Sequence, residues 1–152
     1  MAKKIVITGG IGYIGTELCK IYSGISWNNE ILVIDNRFIS ERVNQLRNWD
    51  IDFVHGDLLD KSLVNKYCKD ADIVHHLAGI TDVPRVKSES NDDNDAKIKL
   101  VAEQGTQNII DAISNKCKII FPSTHVVYEG IDKVKNDILE NEETKPILSY
   151  AN

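Results

Sequence analysis

Lys3-Lys4-Ile5-Val6-Ile7-Thr8-Gly9-Gly10-Ile11-Gly12-Tyr13-Ile14-Gly15 is the stretch from which the fold is read. Its β-branched run predicts a strand over about residues 4–8. Gly9, Gly12 and Gly15 then follow at intervals of three, and a helical pattern begins. Gly9 permits a tight turn out of the strand. Gly12 lets backbone approach a pyrophosphate with no Cβ in the way, and Gly15 lets the helix pack closely on the sheet. The helix N-terminus offers N–H groups and a partial positive charge to phosphates. A glycine-rich βα turn can also exist without a ligand. The context favours a nucleotide: a strand before, a helix after, and Asp35 at the end of the next strand, 20 residues past Gly15.

Composition is consistent with one globular domain over residues 1–152. Hydrophobic residues make up 42% of the chain and charged residues 27%, enough to bury a core and cover it. The net charge of -5 gives no electrostatic reason to expect a nucleic-acid partner. No apolar run reaches the ~20 residues of a membrane span, and the start lacks a signal-peptide core. Cys19, Cys68 and Cys117 are odd in number and fall in predicted helices or beside a strand. They fit a reducing, cytoplasmic setting without a disulfide framework. The four histidines and three cysteines show no close metal-ligand spacing, so no metal is expected.

Outward from the glycine turn, short apolar runs alternate with helical patterns, as in parallel βαβ units. The first helix sets Ile14, Leu18 and Ile21 on one face. Residues 31–34 form an unbroken apolar strand, suited to a sheet covered on both sides. A helix over 40–47 leads to a third strand at 51–55. Asp60 can cap the next helix, and residues 72–76 supply a fourth strand. Thr81 to Asp95 is polar and reads as a loop. A long helix then carries Ile98, Ala102, Gly105, Ile109 and Ile113 along one stripe, and a fifth strand at 118–121 stops at Pro122. Residues 129–145 read as a charged, solvated loop, and 146–152 as the approach to a further helix. His75 and His76 are adjacent on a strand, so they face opposite sides and cannot act as a metal pair.

The motifs resemble the extended short-chain dehydrogenases/reductases, specifically the NAD-dependent epimerase/dehydratase family that includes the UDP-glucose 4-epimerases. Thr8 to Gly15 looks like the family's TGxxGxxG. Ile34-Asp35-Asn36, Gly56-Asp57-Leu58-Leu59-Asp60 and His76-Leu77-Ala78-Gly79 look like its later strand-end motifs. Gly105-Thr106-Gln107-Asn108 resembles its GTxN, Ser123-Thr124-His125-Val126-Val127-Tyr128 its S-[ST]-x-x-V-Y, and Pro146 to Tyr150 the approach to its YxxxK. The resemblance covers nearly the whole chain but only the N-terminal half of such a protein. It implies a Rossmann-type, doubly wound parallel α/β sheet in the order 3-2-1-4-5, ending before the final strands and the substrate region. It implies NAD as cofactor, with a site of Gly9, Gly12, Tyr13, Ile14, Gly15, Asp35, Asn36, Asp57, Leu58, Leu77, Ala78 and Gly79. A carboxylate at position 35 accepts from ribose hydroxyls and repels a 2′-phosphate, favouring NAD over NADP; Arg37 is the nearby argument the other way.

The implied partner is a nucleotide sugar, and the implied reaction a transient hydride transfer between a sugar carbon and the nicotinamide. Tyr150 takes the place of the base and Thr124 that of the hydroxyl that orients the sugar oxygen. A phenol with an ordinary pKa near 10 needs about 4 kcal/mol of phenolate stabilisation to act near pH 7. In the family, a lysine one helical turn later and the oxidised nicotinamide supply it. That lysine would be residue 154, past the last residue of this sequence, so the chain by itself is expected to be inactive. Two departures stand out: Ala102 replaces an asparagine, and Glu129 separates Tyr128 from Gly130. His125-Val126 replaces the acidic pair of the 4,6-dehydratases, which shifts the expectation toward a 4-epimerase or reductase. The competing readings are a non-catalytic NAD-binding module and a reductase of non-sugar carbonyls. The long helix supplies a homodimer face by resemblance, or packs only on its own sheet.

Overall fold

The computed structural model describes residues 2–25, 29–80, 92–131, 137–147 and 151, with the side chains of 92–94 excepted. Its strands are β1 (Lys4–Thr8), β2 (Glu30–Asp35), β3 (Asp52–His55), β4 (Ile73–His76) and β5 (Lys118–Ile120). Its helices are α1 (Tyr13–Ser23), α2 (Ser40–Asn48), α3 (Lys61–Cys68), α4 (Asp92–Leu100) and α5 (Thr106–Ala112), with a π turn over Val101–Gly105 and a 3₁₀ turn over His125–Tyr128. The strands form one parallel sheet in the order β3-β2-β1-β4-β5, as the alternation and the resemblance lead one to expect. The chain divides into two compact units, Met1–Gly79 with Val101–Pro122, and Ile80–Leu100 with Ser123–Asn152.

The sheet sits in the first unit, and strand alternation sorts its core into two layers. Val6, Leu32, Ile34 and Val74 point to one side, where Leu58, Val64 and Cys68 of the α3 region and Ile109 of α5 cover them. Ile5, Ile7, Ile31 and Val33 point to the other, against Cys19 of α1 and Leu46 of α2. Each fully buried aliphatic side chain contributes about 1.5–3 kcal/mol. Asp60 caps α3, its carboxylate accepting from Ser62 N at 3.0 Å and Leu63 N at 3.1 Å. Asp50, at φ 56°, takes the left-handed residue that ends α2 and starts β3.

Several expectations change. Ile14 and Ile21 are exposed, and α1 buries Gly15 and Cys19 instead. The close approach at Gly15 fixes which face turns inward, and the apolar count does not. Ala102 is also exposed, because the π turn adds a residue to the helical register between Ile98 and Gly105. Asp92 to Asp95 belong to α4, so the polar segment is helical at its end, and its residues 81–91 lie outside the described residues. β5 stops at Ile120, and Lys118, Ile119 and Ile120 are all exposed. In the second unit, the stretch read as a solvated loop is partly tied down. Gly130 N donates to Lys145 O and Lys145 N to Val127 O, both at 2.8 Å.

Candidate dinucleotide site

The carboxyl ends of β1, β2, β3 and β4 come together around the glycine turn, where open α/β sheets bind ligands. Gly9 N donates to Ile34 O at 2.8 Å, Leu77 N to Thr8 O at 3.1 Å and Gly56 N to Asp35 O at 3.0 Å. Gly9 has φ 70°, and a Cβ there would lie 2.7 Å from Ala78 N, so only glycine lets the turn pass the 77–78 backbone. A Cβ on Gly15 would lie 2.6 Å from Gly10 Cα, which sets the start of α1 hard against the turn. At Gly12 a Cβ would meet Gly9 O at 3.0 Å and Arg37 Nη2 at 3.6 Å. Gly12 is the N-cap of α1, without a side-chain capping bond, and the first turn carries no acidic residue. An N-terminus left this way suits a pyrophosphate, so the residues fit a dinucleotide.

Asp35 is buried at the end of β2. Its Oδ2 accepts from Ile11 N at 3.3 Å, and its Oδ1 from Arg37 N at 3.0 Å and Arg37 Nε at 3.3 Å. A carboxylate oxygen has two lone pairs, so Oδ2 retains one for a ribose hydroxyl. Asn36 Nδ2 donates to Asp57 Oδ2 at 3.2 Å, and Asp57 Oδ1 accepts from Leu59 N at 2.9 Å. The Leu58 side chain lies in the core, so it offers a ligand its backbone. Tyr13 and Ile14 are exposed, Leu77 and Ala78 half-buried, and among the described residues none beyond its chain neighbours comes within 4 Å of a Cβ built on Gly79.

His75 and His76 do face opposite sides. His75 Nε2 meets the Tyr22 hydroxyl at 2.7 Å, and burial lowers the His75 pKa and raises that of Tyr22. His76 Nδ1 meets Thr8 Oγ1 at 2.8 Å and its Nε2 meets Thr106 Oγ1 at 2.9 Å. Burial holds the His76 pKa down to about 4, so its ring is neutral near pH 7. The buried Cys19 and Cys68 thiols are pushed up to about 12 and about 11, mainly by burial, which keeps them protonated and unreactive. Among the described residues, no cluster of three or more His, Cys, Asp or Glu could hold a metal, and no helix is long and apolar enough to cross a membrane.

Thr124 precedes the 3₁₀ turn, where its Oγ1 accepts from Val126 N at 3.3 Å. Its hydroxyl proton is left to donate. Tyr150 lies outside the described residues. Two contributors were missed in the sequence. Arg42 of α2 donates from Nη1 to the Ile11 carbonyl of the glycine turn, although in sequence it is one charge on a polar helix. Asn108 is buried and donates to Leu58 O at 2.8 Å; its place in the GTxN-like run was the available signal.

The sheet order, the uncapped glycine turn and the strand-end carboxylate define a dinucleotide-binding α/β domain of the Rossmann type. Residues 6–151 match the 3-beta hydroxysteroid dehydrogenase/isomerase family, and the chain belongs to it. It is 31% identical over 153 residues to CDP-paratose 2-epimerase of Salmonella typhi, with 93% of this chain and 42% of that protein covered. It is 31% identical over 165 residues to dTDP-D-glucose 4,6-dehydratase of Dictyostelium discoideum, with 99% and 36% covered. The chain thus spans about two fifths of these relatives' length. Among solved structures, UDP-glucose 4-epimerase from Brucella ovis in complex with NAD superposes with a TM-score of 0.76 at 30% identity, covering 99% of this chain and 44% of that one.

Proposed function

We propose that this chain is the cofactor-binding part of an NAD-dependent sugar-nucleotide epimerase, or of a related dehydratase or reductase, working in the cytoplasm. The observation that carries the reading is the uncapped α1 N-terminus at Gly12, with the Asp35 carboxylate bonded to the same turn through Ile11 N. The Gly9–Gly15 turn and the first N–H groups of α1 would hold the pyrophosphate. Asp35 would fix the adenosine ribose, and the Asn36–Asp57 pair would border the adenine. The Leu77–Gly79 backbone would line the nicotinamide side. Bound there, NAD supplies a hydride acceptor. Thr124, its oxygen oriented by Val126 N, would position a sugar hydroxyl, and Tyr150 would take that hydroxyl's proton. The supporting relatives are an epimerase and a dehydratase of sugar nucleotides, and the Brucella ovis structure holds NAD.

Calorimetric titration tests the cofactor reading. NAD should bind in the micromolar range, and Gly12→Val, which fills the approach to the turn, should abolish binding. A folded wild-type chain that takes up no NAD overturns it. The matched family's name supports a second reading, a dehydrogenase or reductase of non-sugar carbonyls. Titrating the NAD-loaded chain with a UDP-sugar and with a hydroxysteroid separates the two: uptake of the UDP-sugar alone favours the first, and uptake of the hydroxysteroid alone favours the second.

A further inference from the structure

Side chains from three elements grip the glycine turn, one for each of three consecutive peptide units. Asp35 of β2 fixes the Gly10–Ile11 unit, its Oδ2 accepting from Ile11 N at 3.3 Å. The Ile11–Gly12 unit is held at both ends: Gly12 N donates to Gly9 O at 3.0 Å, and Arg42 of α2 donates from Nη1 to the Ile11 carbonyl. In the Gly12–Tyr13 unit, the Gly12 carbonyl accepts from Thr16 N at 3.0 Å and from Thr16 Oγ1 at 2.7 Å, both in α1. A trans peptide sets its C=O and N–H on opposite sides, and no described peptide is cis. The Gly12 carbonyl points into α1, so the Tyr13 N–H points out of its N-terminal end, toward the place of a diphosphate.

The middle unit is the one most easily turned over. It borders a glycine, whose φ is not confined to one sign, and a flip would exchange the Gly12 N–H for the Ile11 oxygen, which repels an anion. Arg42 closes that route by holding the oxygen on the α2 side. It is part-buried, and among the described residues no carboxylate pairs with it, so its charge stays on the turn. We infer that Arg42 is a positioning residue of the diphosphate cradle: it locks the Ile11–Gly12 peptide in the orientation that leaves the start of α1 open to an anion, and sets a positive charge behind it. The inference rests on the dinucleotide reading and adds to it a residue that acts on the cofactor through the backbone of the turn. A cradle preset in this way removes an ordering cost that binding would otherwise carry. Without Arg42, Asp35 keeps its bonds to Arg37 N and Nε at the ribose end, so the contribution of Arg42 belongs to the diphosphate end.

The test compares NAD, ADP and adenosine as ligands of the full chain, by calorimetry for the first two and by NMR shift titration for the third. Wild type is set beside Arg42→Met, which keeps the helix preference and most of the apolar stem but loses the donor and the charge. The variant should bind NAD and ADP more weakly by about tenfold or more, as loss of a charge-assisted hydrogen bond predicts. Its affinity for adenosine, which has no phosphate, should stay at the wild-type value. In the ligand-free variant, ¹⁵N relaxation dispersion should detect exchange at the Ile11, Gly12 and Tyr13 amides that wild type lacks. If Arg42→Met does not fold, Arg42→Gln takes its place. Wild-type NAD binding together with a folded variant that binds NAD and ADP as tightly overturns the inference. So does a loss shared equally by adenosine, which would make Arg42 a general support of the site. A wild type that binds neither NAD nor ADP overturns the parent reading as well.

Discussion

His76 is held at both ring nitrogens, Nδ1 by Thr8 Oγ1 at 2.8 Å and Nε2 by Thr106 Oγ1 at 2.9 Å, and Thr8 Oγ1 also accepts from Ala78 N at 3.4 Å. The groups packed on the ring, Thr8, Thr106 and Phe121, bear no charge that could favour an imidazolium. With a folded pKa of about 4 against an ordinary 6.5, the unfolded chain binds more protons between those values. The stabilisation is complete above about pH 6.5 and is lost as pH falls through about 4. Integrated from pH 7 to 5, His76 alone accounts for about 2 kcal/mol. Urea unfolding at both pH values should show His76→Gln flattening the pH dependence by that amount, leaving a smaller slope from His75. An unchanged slope would mean that His76 titrates normally. That the two histidines face opposite sides was legible from strand alternation. The part played by Arg42 was not, because a carbonyl 31 residues away leaves no mark in a helical pattern.

The path from α4 to α5 shows where periodicity misleads. A strict α-helical stripe aligns Ile98, Ala102, Gly105 and Ile109, and an extra residue in one turn breaks the line at Ala102. The helix resumes with Gly105 facing Leu58, whose Cβ would stand 3.3 Å from a Cβ on Gly105. That register lets Asn108 reach the Leu58 carbonyl at 2.8 Å while its Oδ1 accepts from Gln104 Nε2 at 3.0 Å. Asn108 thereby fixes the segment after β3 that also carries Asp57. Asn108→Ala would leave the buried Leu58 carbonyl without this donor, at a cost of about 1–3 kcal/mol in denaturant unfolding. A change under about 0.5 kcal/mol would mean that water or a shifted neighbour replaces the amide. A similar lesson holds in α1: Ile14 and Ile21 read as the inner face, but a helix whose third residue must touch Gly10 turns Gly15 and Cys19 inward. Close backbone approach outranked apolar count. Helix existence and the Asp60 cap, which depend on near neighbours, were legible; facing, which depends on distant ones, was not.

At the scale of the molecule, the sheet order and the site at its carboxyl edge follow from the βαβ alternation with its glycine turn. What covers each strand does not. Residues 118–121 read as an apolar strand like the others, but Ile119 is 37% and Ile120 38% exposed, whereas Val6, Ile7, Val33 and Val74 are fully buried. Burial at an edge is set by whatever lies next to it, which a local apolar run cannot report. The difference should appear in native-state hydrogen exchange. Amides of β1, β2 and β4 are flanked by strands on both sides and covered on both faces, so they should exchange only through global unfolding. β5 amides should exchange faster through local opening. Bound NAD would favour the folded chain over the unfolded one, so at one hundred times its dissociation constant it should add about 2.7 kcal/mol to global stability. Exchange in the three central strands should then slow by about a hundredfold, and β5 should slow less because it opens without releasing the ligand. If β5 is as slow as β1 without NAD, its edge is covered and belongs to the cooperative core. If NAD slows only residues 9–15, the strand ends do not act as one platform, and the cofactor grips the turn alone.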